Sequence, residues 1–239
     1  MIRRLIALRD GRAPRGALAG AAVLLLGALV MTLPLRIVAP LVPGLTAREA
    51  EGTVWQGRLR EASLGPFVLG TIDARLAVLP LLLGRAELIV EQTHDGKAAG
   101  FSAKIARNGV QGARGTLALT GGFGPVPITS MTFADLSARF DGNGCAEAGG
   151  EVSATIALPD GSPLSVAGVA RCEGRTLLLS LRGSGGMERL DVRIGRDGRW
   201  RSDLAVAGLP EEARSRLRLL GFAARPGGTE LVLRASGSF

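Results

Sequence analysis

From residue 52 onwards apolar and polar side chains alternate, and this period of two constrains the fold more than any other feature. Residues 67–79 set Ile72, Ala74, Leu76 and Val78 against Asp73 and Arg75. Leu88 and Val90 alternate with Glu87 and Glu91. The same holds for Val152, Ala154 and Ile156, and for Leu190, Val192 and Ile194. Successive side chains of a strand point to opposite faces, so the pattern predicts strands buried on one side only. Residues 52–60 carry it too, with Trp55 and Leu59 on one face. Turn signals separate the runs: residues 93–96, Asn108-Gly109, residues 141–144, 159–163, 183–186 and 195–198. One soluble helix is predicted, over residues 210–220, with Glu211 and Glu212 at its positive end and Gly221 as its stop.

Ahead of the strands lies an uncharged apolar run, residues 16–35. About 20 such residues span a bilayer's hydrocarbon core as a helix. Arg3, Arg4, Arg9, Arg12 and Arg15 precede it, so the positive-inside rule places residues 1–15 in the cytoplasm and the rest across the membrane. A cleaved signal peptide is the rival reading; Pro40 after Ala39 argues against it. The expected fold is mainly β. A single N-terminal transmembrane helix leads into meandering antiparallel β-sheet units, with one short helix near the C-terminus. The segments are a basic segment 1–15, the transmembrane helix 16–35, a connector 36–47, a first periplasmic unit 48–120, a Gly- and Pro-rich linker 121–130 and a second periplasmic unit 131–239. Residues 121–130 read equally as a long loop within one sheet.

The net charge is +8, and most of it comes from the arginines that flank the apolar run. The exported part is close to neutral, so no nucleic-acid partner is expected. Cys145 and Cys172 fall in that exported part, where an oxidising compartment favours a disulfide over two buried free thiols. In the chain-entropy picture such a bridge stabilises the fold by roughly 3–4 kcal/mol.

The chemistry of an enzyme is missing. His94 is the only histidine and sits in a polar turn. No serine lies in a G-x-S-x-G elbow, and no Walker or G-x-G-x-x-G loop joins a strand to a helix. Glu211 and Glu212 suit helix-end electrostatics better than acid–base work. Arg189, Arg193, Arg199 and Arg201, interleaved with Asp191 and Asp203, read as a solvated mixed face. No catalytic residue, metal, cofactor or small-molecule substrate is expected.

An apolar anchor, a Pro-containing connector and then Gly52-Thr53-Val54-Trp55-Gln56-Gly57 resemble the opening of the type II secretion system protein N (GspN) family. Pro80 and Gly84, within Leu79-Pro80-Leu81-Leu82-Leu83-Gly84, match its next landmark. Gly198-Arg199-Trp200, the helix running into Leu219-Leu220-Gly221, and Gly237 fit its end. Leu76 departs from the pattern, standing where an aromatic is expected. The resemblance implies an accessory component of the inner membrane that acts by protein–protein contact in the periplasm, with other secretion subunits as partners. The alternative is an AsmA-like lipid-handling protein with an open apolar β groove.

Overall fold

A computed structural model describes residues 15–41, 44–94, 97–119, 126–157, 163–219, 221–225, 228 and 230–238. The first helix, α1, is Arg15–Met31, with 17 residues. The expected helix 16–35 therefore stops early. Pro34 has no N–H to continue the ladder and pushes Leu33 out of helical geometry. At 1.5 Å per residue α1 is about 25 Å long. Among the described residues no helix is long and apolar enough to cross a membrane.

The expected connector 36–47 is more structured than its two prolines implied. Pro34 caps a one-turn helix, α2 (Leu35–Val38), which runs into a 3-10 turn, Ala39–Leu41. Short strands β1 (Leu45–Thr46) and β2 (Glu49–Gly52) follow. Next come β3 (Gly57–Leu64), β4 (Phe67–Leu76), the short helix α3 (Val78–Leu82), β5 (Glu87–His94), β6 (Lys97–Ala106) and β7 (Gly109–Leu119). The chain continues through β8 (Ile128–Asp141), β9 (Gly144–Ala157), β10 (Pro163–Glu173), β11 (Thr176–Gly183), β12 (Glu188–Ile194) and β13 (Arg199–Val206). Helix α4 (Glu211–Leu219), β14 (Ala223–Ala224) and β15 (Leu231–Ser238) complete it.

All of these strands belong to one 15-stranded antiparallel sheet, and from β3 to β13 each strand pairs with the next in sequence. The partition into units 48–120 and 131–239 does not show as a break in this sheet. β7 and β8 pair from Gly109↔Arg139 to Ala118↔Ser130, across the expected linker. β8 already begins at Ile128, inside that linker; residues 120–125 lie outside the described residues.

The inward face is the one that the alternation marks. Ile72, Val90, Ala103, Leu136, Ala138, Val152, Ala154, Ile156, Leu190 and Val192 are all buried in one apolar cluster, which Leu217 of α4 and Phe222 join, and Ala74 is buried as well. Ile156, Val166, Leu181 and Leu190 are fully enclosed, so this face is a packed core and not an open groove. Two strand assignments need correction. Thr53–Gln56 is a turn, not the middle of a strand, because Gly52 and Gly57 pair and close a hairpin between β2 and β3. Residues 77–79 leave β4 for α3, which puts Val78 outside instead of in the core.

Because a meander reverses at every strand, its turns gather at two rims. One rim collects the β2–β3 turn, α3, the β6–β7 turn and the β8–β9 turn. It is also the rim that α1 meets.

Candidate functional site

The Gly-Thr-Val-Trp-Gln-Gly stretch forms a clasp on the end of α1. A helix leaves its last carbonyls without intrahelical partners. Here the Trp55 indole Nε1–H donates to the Val30 carbonyl at 2.9 Å, and the Val54 N–H donates to the Leu33 carbonyl at 3.0 Å. Thr53 bridges Pro34 as a short antiparallel pair. Within the turn, the Gln56 carbonyl accepts from the Thr53 N–H at 3.1 Å. The Val54 carbonyl accepts from the Leu76 N–H at 3.3 Å, which carries the connection on to the end of β4.

The two glycines have separate reasons. Gly52 takes φ +81°, where an L side chain is strained. Gly57 has ordinary backbone, but a Cβ there would lie 2.5 Å from Leu35 Cδ2, 2.8 Å from the Thr53 carbonyl oxygen and 2.9 Å from the Glu51 carbonyl oxygen. Leu35 is itself buried. The absent side chain at Gly57 is what lets α2 seat on the hairpin.

Pro80 and Gly84 shape the next turn on the same rim. The Pro80 carbonyl accepts from Leu83 N–H at 3.0 Å and from Arg85 N–H at 2.9 Å, and Gly84 at φ +74° ends α3. The side chains of this turn face outward, with Leu83 75% exposed and Val78 51% exposed. At the far side of the sheet Trp200 and Gly237 are register partners. A Cβ on Gly237 would meet the Trp200 ring at 2.7 Å, so the indole packs across the glycine.

Cys145 and Cys172 form the disulfide, with Cα atoms 5.5 Å apart. The β9–β10 ladder ends at the pair Glu151↔Val169, and the bridge closes the two strands beyond that point.

The family described as type II secretion system (T2SS), protein N, matches residues 43–232. The chain belongs to that family. No curated protein and no solved structure matches it. Membership in the protein N family brings an accessory role in type II secretion, association with the cell envelope and other secretion subunits as neighbours. The family is a component of the secretion system and is not known as an enzyme. The match begins at residue 43, so the clasp falls inside the family region and α1, which it holds, falls before it.

The outer face carries paired charges. Arg58 donates twice to Asp73, from Nε at 2.7 Å and from Nη2 at 3.1 Å. That hydrogen bond, ahead of simple charge attraction, holds the Asp73 carboxyl below its ordinary value and raises the Arg58 guanidinium. Arg193 bridges Glu173 at 3.0 Å and Asp203 at 3.7 Å, and Arg189 reaches Asp191 at 3.1 Å. The mixed face expected from the sequence is thus an ion-pair network. Glu211 accepts from Arg214 at 2.9 Å, which lowers its carboxyl in the first turn of α4. Among the described residues no group of three or more His, Cys, Asp or Glu is placed to hold a metal ion. The side chain of His94 lies outside the described residues.

The sequence located the glycines, Trp55 and Pro80 but not their geometry. Nothing in the local pattern shows that Trp55 reaches back to a carbonyl of α1, because that contact spans 25 residues.

Proposed function

We propose that this chain is an accessory inner-membrane subunit of the type II secretion machine that works by binding other subunits in the periplasm. The family match over residues 43–232 carries this reading. In it, residues 1–15 stay in the cytoplasm. The apolar residues of α1 sit in the bilayer, and the sheet lies outside as two joined units, 48–120 and 131–239. Leu24 and Leu25 are 76% and 74% exposed, so α1 carries apolar surface that the rest of the chain does not cover. The disulfide fits an oxidising compartment.

The contact surface in this reading is the open edge of the sheet. β13 pairs with β15 along its whole length, but on the other side β14 covers only Leu231 and Val232. Among the described residues, Leu233–Ser238 therefore presents unpaired backbone groups, the kind of edge that accepts a strand from a partner.

The test is deletion of the gene in a secreting host, scored by substrate in the medium, together with co-purification of the solubilised chain. Reduced secretion and recovery of secretion subunits support the reading. Unchanged secretion with no subunit recovered contradicts it.

A further inference from the structure

We propose that the rim around the end of α1 is a second lipid-contacting surface, built from α2, the α3 turn and the β6–β7 turn and suited to anionic headgroups. This rests on the reading of α1 as a membrane anchor.

The first support is the absence of slack. Val30 and Leu33 are tied to Trp55 and Val54 at 2.9 and 3.0 Å, and Val54 is tied to Leu76 at 3.3 Å. Residue 78, where α3 starts, is then only about two strand spacings, roughly 10 Å, from the end of α1. If α1 leaves a bilayer at Met31, no linker exists to lift this rim away from it.

The second support is the composition of the rim. Ile37, Val78, Leu81 and Leu83 are exposed. Solvent turns are normally polar, yet α3 turns Val78 and Leu81 outward, and Leu83 directly after it is exposed too. Arg36 and Arg85 flank these residues, and Arg107 follows Ala106, the register partner of Glu87. All three arginines are exposed and have no ion-pair partner among the described residues. At the opposite rim the pattern is different: Arg214 and Arg218 of α4 are both paired with Glu211. Apolar side chains bordered by unpaired cations match the layering of a leaflet, with hydrocarbon below and phosphates above. Trp55, an indole with one polar atom, stands at the level where membrane proteins place such rings.

The experiment uses the full chain in vesicles containing phosphatidylglycerol. The chain has no free cysteine, so a single introduced one can carry an environment-sensitive fluorophore. Three positions are labelled separately: Leu83→Cys on the rim, Ser184→Cys on the opposite rim and Leu25→Cys on α1. Spin-labelled lipids with shallow or deep quenchers report contact and depth. The proposal expects a blue shift and shallow quenching at Leu83, deep quenching at Leu25 and neither effect at Ser184. Adding Arg85→Glu to the Leu83-labelled chain should reduce the shallow quenching. A Leu25 label in lipid with a Leu83 label in water overturns the rim and leaves the anchor standing. A Leu25 label in water removes the anchor and the rim with it.

Discussion

Replacing Gly57 with alanine tests the clasp at its tightest point. The new methyl would lie within 2.9 Å of three atoms, and two of these are the carbonyl oxygens of Thr53 and Glu51. A leucine methyl can rotate away; carbonyls held in a hairpin cannot move without disturbing its hydrogen bonds. Overpacking of one methyl typically costs about 1–3 kcal/mol. The rigidity of two of the three obstacles puts this site in the upper half, about 2–3 kcal/mol. For a chain of this length that lowers Tm by about 4–12 °C. Circular dichroism of the chain in micelles measures it, with Gly142→Ala as control, since a Cβ at Gly142 meets nothing within 4 Å. Leu35→Ala provides a second check. If the Leu35 methyl were the main obstacle, Gly57→Ala would be nearly free in that background. The clasp predicts that most of the cost remains. A Gly57→Ala Tm within about 1 °C of the parent refutes the reasoning.

Other outcomes follow from the same structure. Opening the disulfide with Cys145→Ser and Cys172→Ser frees a loop with a separation of 27 residues. The chain-entropy relation then gives a loss of about 3.5 kcal/mol, readable as a fall in the denaturant midpoint; a fall below about 1 kcal/mol would contradict it. The Ser202 hydroxyl is buried with no hydrogen-bond partner among the described residues. Ser202→Ala is expected to raise stability by about 1 kcal/mol in the same assay, and a loss would show that the hydroxyl is satisfied. Asp73 has a folded-state pKa below its ordinary value of 3.8, because of its bond to Arg58. Its contribution is complete above the unfolded-chain value and is lost as pH falls through the lower folded one. The stability gap between the parent and Asp73→Asn should therefore be wider at pH 7 than at pH 3, and an equal gap at both would contradict the assignment.

Much of the fold was legible because a period of two is local. Ile72, Ala74, Val90, Val152 and Leu190 point inward as the alternation requires. Each failure has a breaker inside or beside the run that the broader pattern overrode. Residues 53–56 alternate like a strand, yet close a turn because Gly52 and Gly57 pair across them. Val78 continues an inward pattern, yet Pro80 turns the chain into α3 and leaves Val78 outside. The apolar run to Leu35 looked like one helix until Pro34 divided it. At the candidate site the family resemblance singles out Gly52, Trp55 and Gly57 in the sequence. That they hold a helix end was not legible, since no local pattern records a bond from Trp55 to Val30.

The most direct test of a subunit that works by contact is a photocrosslinking residue at Ser236, on the open edge of β15, in cells assembling the secretion machine. The account predicts an adduct between this chain and another secretion subunit, absent when the same residue stands at Ser184. Intact secretion with no adduct from Ser236 would contradict it.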